Sequence, residues 1–142
     1  MRSSWREDSV ADRYFSPREV EALIPELTEI MRDVMTAQAE AKAVRGRLHA
    51  EQERIAMSGG GVIDHGVWRR GREDLERVGR RVQARLEDVA RLGGVTKDLE
   101  LGLVDFPHLR DGEVVNLCWK QGETSIEYWH GLDEGFATRK PL

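Results

Sequence analysis

The architecture of this chain follows from V-V-N-L-C-W-K-Q-G-E-T-S-I-E-Y-W-H, residues 114–130. Two runs rich in β-branched, aromatic and aliphatic side chains flank a polar segment centred on Gly122, a pattern typical of two antiparallel strands joined by a turn. The same stretch holds the single cysteine, Cys118, one of the four histidines, His130, and two of the four tryptophans. It therefore predicts a β-hairpin that carries the chemically distinctive side chains of the chain.

The residues around this hairpin extend it to a small sheet. Glycine, proline and charged residues separate three short apolar segments, with Pro107 and Arg110-Asp111-Gly112 between the first two. This spacing predicts a three-stranded antiparallel meander, whose strands are Leu99–Phe106, Val114–Trp119 and Ile126–His130. The final segment, 131–142, is expected to be a loop that folds back and is pinned by Phe136.

Two long helices are predicted before the sheet. Ser16-Pro17-Arg18-Glu19 is a helix start with an N-cap, a proline at the first position and a capping-box glutamate. Apolar residues then recur at alternating spacings of three and four, a heptad pattern typical of coiled coils, until Met57-Ser58. A second such helix follows over 66–92 and ends at Gly93-Gly94. We therefore expect an α+β fold with a long, coiled-coil-like antiparallel helical hairpin.

The first predicted helix is about 14 residues longer than the second, so part of it lacks a helical partner. The surplus falls near Val20–Met35, where the apolar face is widest. A sheet of three short strands is too small to cover this face alone, and coiled-coil faces tend to bind copies of themselves. The pattern therefore favours a homodimer that associates through the helical hairpin.

The length and composition of the chain limit the classes of protein to which it can belong. The chain has 142 residues, which is one ordinary domain, and a net charge of −4 with both signs mixed along the helices, which argues against nucleic-acid binding. One cysteine cannot form an internal disulfide, and neither a signal peptide nor a membrane span is evident. We expect a cytoplasmic protein with a disordered extension over 1–13 and a single domain over 14–142, of which 14–94 form the helical hairpin and 95–142 the sheet and tail.

Several short motifs resemble an uncharacterised family, domain of unknown function two-two-zero-three. The C-terminal motifs are Gly102-Leu103-Val104-Asp105-Phe106, Leu117-Cys118-Trp119-x-x-Gly122-Glu123, Trp129-His130 and Gly135-Phe136-x-x-Arg139-Lys140-Pro141-Leu142. Phe15-Ser16 and Leu23-Ile24-Pro25 also resemble its N-terminus. The resemblance implies a helical hairpin with a small sheet and implies no established activity, so the function must be argued from the side chains themselves.

Four polar residues within these motifs form the candidate site: Asp105, Glu123, His130 and Arg139. With Cys118, the carboxylates and the imidazole are the ligand types that borderline divalent metals take, so a metal site built from His130, Glu123, Asp105 and Cys118 is one interpretation. The other is a buried polar network without a cofactor, in which Arg139 pairs with the carboxylates and locks the tail to the sheet.

The register of the hairpin decides which side chains can meet. A two-residue turn at Gly122-Glu123 pairs Cys118 with Glu127 and places His130 among the apolar core residues. A three-residue loop instead places Cys118 on one face with Ile126, Tyr128 and His130. The sequence leaves both registers open.

Three further interpretations concern single residues of the sheet. Cys118 is either a thiolate nucleophile activated by His130 or a small buried apolar residue. Trp119 and Trp129 either line a pocket or form the core beneath the sheet. Taken together, the sequence favours a non-enzymatic interaction or scaffold module, with a metal- or ligand-binding protein or an enzyme as the alternative.

Overall fold

The computed structural model describes residues 13–142, so the predicted disordered extension, apart from Arg13, lies outside the described residues. The protein is α+β, with helices α1 (Pro17–Met57) and α2 (His65–Leu92) followed by an antiparallel sheet of five strands. The described chain divides into two compact units. We call 33–85 the hairpin unit, and we call the sheet with the adjoining helix segments, 13–32 and 86–142, the sheet unit.

The predicted helix ends are confirmed by their caps. At the start of α1, the Glu19 backbone N–H donates to Ser16 Oγ at 3.1 Å, and the Ser16 N–H donates to Glu19 Oε1 at 2.8 Å, which is the reciprocal pattern of a capping box. At the end of α2, Gly93 adopts a φ of +100°, and the Gly94 N–H returns to the Val89 carbonyl. Only glycine adopts this left-handed conformation without strain, so the helix stops here.

In the hairpin unit, α1 and α2 run antiparallel around a narrow core. Its buried residues are Ala37, Ala41 and Val78, with Leu75 and Val82 packed at the edge. Close approach continues toward the loop, where a Cβ on Gly71 would lie 2.7 Å from Leu48 Cδ2. Small residues at the contact therefore allow the two backbones to come together.

The sheet has five strands where the sequence predicted three: β1 (Val95–Asp98), β2 (Leu103–Arg110), β3 (Glu113–Lys120), β4 (Tyr128–His130) and β5 (Lys140–Pro141), adjacent in that order. The added strands have four and two residues, too short to show a period. Hence the tail predicted as a loop contains β5, which pairs with β4.

The predicted strand Leu99–Phe106 also has the wrong bounds, because 99–102 form a turn and Pro107 lies inside β2. Proline lacks the N–H that a central strand needs. It is tolerated because β1 pairs with β2 only from Leu103 to Asp105. Beyond that point the Pro107 carbonyl accepts a hydrogen bond from the Phe15 N–H at 2.7 Å.

Strands β3 and β4 pair Asn116 with His130 and Leu117 with Trp129. Because side chains alternate between faces, this register places Cys118 and His130 on the same face. The three-residue loop predicted the same outcome, but the connection is longer than either predicted turn and spans 121–127. The other face carries fully buried apolar residues, namely Val104, Phe106, Leu117 and Trp119. The sheet therefore has an apolar core face and a second face on which polar side chains gather.

The wide apolar face of α1 is buried within the chain. Val20, Leu27 and Ile30 are at most 1% exposed, and the Glu21 carboxylate accepts a hydrogen bond from the Ile126 N–H at 3.0 Å. Residues of the sheet unit thus cover the surface that the sequence suggested would need a partner. Neither helix within 13–142 has a stretch long and apolar enough to cross a membrane.

Candidate metal centre

Three adjacent strands bring Asp105, Cys118 and His130 together. Asp105 in β2 is paired directly with Cys118 in β3, and His130 lies on β4 one strand further along. One potential ligand atom from each residue lies within 4.8 Å of the other two, and each residue is at most 2% exposed. The cluster is a carboxylate, a thiol and an imidazole held on a rigid sheet and removed from water.

The orientation of His130 is set by the backbone. Its Nδ1 lies 2.8 Å from the Gly131 carbonyl oxygen, and because a carbonyl only accepts, Nδ1 carries the hydrogen of this bond. Nε2 then points at Asp105 Oδ2, 3.0 Å away. In the neutral imidazole that nitrogen presents a lone pair to a carboxylate oxygen, so a proton or a metal cation is needed between the two groups.

Asp105 lacks the hydrogen bonds that a buried carboxylate needs. Neither of its oxygens has a hydrogen-bond partner of acceptable geometry among the described residues. The basic groups beside it are the His130 imidazole and the Lys97 ammonium, whose Nζ lies 3.6 Å from Oδ2. Burying a charge without compensation costs several kcal/mol, so this carboxylate is arranged to receive a further positively charged group.

Cys118 is a neutral thiol in the absence of a bound cation. Burial, reinforced by the Asp105 carboxylate, raises the pKa of the Cys118 thiol to about 11, against the smaller opposing effect of Arg139. A thiol with this pKa is protonated near pH 7 and is a poor nucleophile, which disfavours the interpretation of Cys118 as a nucleophile. A metal ion that binds the sulfur displaces its proton.

Arg139 and Glu123 flank the cluster as a second layer. Arg139 Nη1 lies 3.0 and 3.2 Å from the two Glu123 carboxylate oxygens and 4.0 Å from Cys118 Sγ. Its guanidinium carbon lies 4.1 Å from the ring centre of Tyr128 and 4.3 Å from that of Phe136. The expected pairing of Arg139 with a carboxylate is present here, and it fixes a positive charge beside the sulfur.

A cavity of about 80 Å³ adjoins the cluster. Its lining combines the cluster with the end of β1, the start of β2 and the tail segment, namely Lys97, Leu103, Asp105, Cys118, His130, Glu134, Gly135 and Phe136. A water molecule needs only about 10–15 Å³ of such space. The cavity therefore has room for an ion and for small molecules bound beside it.

The two tryptophans proposed as pocket lining lie elsewhere. Trp119 is fully buried on the apolar face, and its Nε1 donates to the Glu123 carbonyl at 3.0 Å. Trp129 lies between Arg110 and Lys140, whose charged groups are 4.6 and 4.7 Å from its ring centre. Neither lines the cavity beside Asp105, because both occupy the opposite parity of their strands.

Sequence reasoning missed Lys97. This lysine is on β1, which was not predicted, and it reaches the buried Asp105 from the neighbouring strand. The available signal was the run Val95-Thr96-Lys97-Asp98, which follows the helix-ending glycines and begins with two β-branched residues.

The residues of the cluster fit a borderline divalent ion such as Zn²⁺, which binds thiolate, imidazole and carboxylate. Three protein ligands with space beside them are the pattern of zinc sites that keep a position open, whereas structural zinc sites have four protein ligands. The Gly131 carbonyl on Nδ1 is the usual partner that fixes the ring of a ligating histidine.

Comparison with known proteins identifies a family for the chain but gives no activity. A family model described as an uncharacterised conserved protein, DUF2203, matches residues 13–142. No curated protein and no solved structure matches the chain.

Proposed function

The chain belongs to the DUF2203 family, and we propose that it is a small protein that binds one divalent metal ion of the zinc class through Asp105, Cys118 and His130. The observation that carries this proposal is the buried Asp105 carboxylate, which faces an imidazole nitrogen and a thiol and whose oxygens have no hydrogen-bond partner among the described residues. A bound ion would satisfy all three groups at once.

The alternative for the same residues is a polar network without metal, which requires a different protonation state of His130. In that network His130 is an imidazolium that neutralises Asp105 directly. The 3.0 Å separation fits such an ion pair, but the pair lacks hydrogen-bond geometry, and Cys118 has no role in it. The metal proposal uses all three side chains and explains why the thiol lies beside them.

Elemental analysis of the untagged protein, followed by a zinc titration of chelator-treated protein, tests the proposal. We expect one metal ion per chain, bound because the thiolate, imidazole and carboxylate act together. Zinc at one hundred times its dissociation constant should raise the free energy of unfolding by about 2.7 kcal/mol. Cys118→Ser and His130→Gln should each lose stoichiometric metal, since each removes a ligand and keeps a side chain of similar size.

His49→Ala is the matched control, because His49 is an exposed histidine on α1 and should bind no ion at the site. If the wild-type protein holds no metal and His130→Gln lowers the free energy of unfolding by about 3–5 kcal/mol, the buried network is established instead. If Cys118→Ser and His130→Gln both retain a full equivalent of metal, the ion binds at another part of the chain.

Self-association of the helical hairpin as a coiled-coil scaffold remains the second candidate function. Its support comes from the most exposed apolar side chains of the hairpin unit, Met57 and Val62, which lie at its loop end and are about nine-tenths exposed, whereas Met35 on the face first expected is 36% exposed. Sedimentation at high micromolar concentration tests it. A dimer that dissociates in Met57→Ser with Val62→Ser supports the scaffold, and a strict monomer removes it.

A further inference from the structure

We infer that the metal site takes a small carboxylate or similar oxyanion as an additional ligand, held between the ion and the Lys97 ammonium. This inference rests on the proposed metal function and names the class of molecule that the same site binds. Three features carry it: the open space beside the cluster, the charge of the loaded site, and the position of Lys97.

The first feature is the cavity. Its volume of about 80 Å³ admits a molecule of a few heavy atoms beside the ion and excludes anything as large as a nucleotide. Leu103 and Phe136 supply apolar wall next to the polar ligands. A small carboxylate, with one charged and one apolar end, matches a lining of this composition.

The second feature is charge. A divalent ion brings two positive charges, and the Asp105 carboxylate with the Cys118 thiolate cancels them. The Lys97 ammonium then leaves the loaded cavity with one net positive charge. The other charged groups nearby are already matched, because Arg139 pairs with Glu123 and Lys140 pairs with Glu134. A monoanion is therefore the ligand that neutralises the site.

The third feature is the position of Lys97. Its Nζ lies 3.6 Å from Asp105 Oδ2, and its side chain is 45% exposed, so it reaches from solvent to a buried carboxylate. An ion bound to Asp105 competes for the charge that holds the ammonium there. Lys97 lines the cavity, so with Asp105 engaged by an ion its ammonium would have no anionic partner there and could bind an added anion. An anion with two oxygens can bind the ion through one and Lys97 through the other.

The test uses the full chain loaded with cobalt(II), whose thiolate and ligand-field absorption reports on the coordination of the ion. Sodium acetate is titrated at constant ionic strength, and sodium bicarbonate serves as a second probe. We expect a saturable change of the ligand-field bands. In Lys97→Met, which keeps the stem of the side chain, one cobalt should still bind per chain, while the affinity for acetate falls at least about tenfold, equivalent to about 1.4 kcal/mol.

Lys42→Met is the matched control, because it removes the same charge from an exposed position on α1 and should leave acetate binding unchanged. Cobalt absorption that never changes with either anion overturns the inference and leaves the metal site standing. So does acetate binding that is equal in Lys97→Met and wild type. The thiolate absorption should be present in cobalt-loaded wild type and should vanish in Cys118→Ser. If the wild type lacks this absorption, the proposed function is wrong, and the inference falls with it.

Discussion

The hairpin unit and the sheet unit differ in how deeply their ionisable side chains are buried. In the hairpin unit, ionic side chains meet at the surface, as in Arg81 with Asp33 and Arg77 with Asp74, where 31–61% of each side chain is exposed. In the sheet unit, Asp105 and His130 meet with 2–3% of each side chain exposed. Surface pairs contribute about 0–1 kcal/mol, whereas breaking a buried pair costs about 3–5 kcal/mol. Among residues 13–142, the buried polar or charged side chains Asp105, Asn116 and His130 all belong to the sheet unit.

This difference predicts which residues can be substituted without loss of stability. The hairpin unit has a core of small residues such as Ala37 and Ala41, and charges on its surface that water already solvates. The sheet unit has fully buried large side chains, including Trp119 and Phe106, and a polar cluster on the other face of the same strands. Substitutions at comparable positions of the two units should therefore differ in size and even in sign.

Two glycines test this contrast most directly. Gly93 has a φ of +100°, and a Cβ there would lie 2.4 Å from the Phe15 ring, while Gly79 in α2 has nothing within 4 Å of its added Cβ. Gly93→Ala should cost at least about 2 kcal/mol, from left-handed strain and overpacking. Gly79→Ala should instead gain up to about 1 kcal/mol, because alanine is the better helix former. Urea unfolding followed by circular dichroism measures both.

The wild type and the double variant complete this experiment. The two effects should add, since the sites share no contact. If Gly93→Ala were neutral, the close approach of Phe15 to the helix end would not be a packing constraint. A loss of stability in Gly79→Ala would show that α2 is limited at that position by something other than helix propensity.

The helices were predictable because their signals are local. The Ser16 cap and the glycines after Leu92 act within a few residues of themselves, and the apolar period persists over many turns. The sheet was only partly predictable. β1 and β5 are too short for a period and form because β2 and β4 offer them unpaired edges. A partner strand is information that neither segment contains.

The sequence predicted the residue types of the candidate site but not which of the candidate residues lie together. Asp105, Cys118 and His130 were all candidates, yet their meeting depends on the 121–127 connection, whose length sets the register of β4. Glu123 was a candidate ligand and lies outside the three-residue cluster, bound to Arg139. Its carboxylate also accepts the Lys120 N–H at 2.8 Å, a turn contact that parity arguments do not reveal.

The smallest predicted effect concerns Asp33 in the hairpin unit and completes the contrast with Asp105. The Arg81 guanidinium, hydrogen-bonded to the Asp33 carboxylate, holds the pKa of that carboxyl below its usual value. A group whose pKa is lower in the folded state stabilises the fold above its unfolded pKa, about 3.9, and this contribution is lost as pH falls through the folded value.

Asp33→Asn should therefore lower the free energy of unfolding by about 0.2–1 kcal/mol at pH 7, because the pair is partly exposed and screened. The difference from wild type should shrink in 1 M salt, where the screening length is about 3 Å, and should disappear at a pH below the folded pKa of Asp33. Urea unfolding across this pH range measures it, with Asp74→Asn as the matched control for a pair within one helix. An Asp33→Asn loss that is equally large in acid would mean that the side chain acts through shape and hydrogen bonding, as a buried group does, and the contrast between the two units would then not rest on charge.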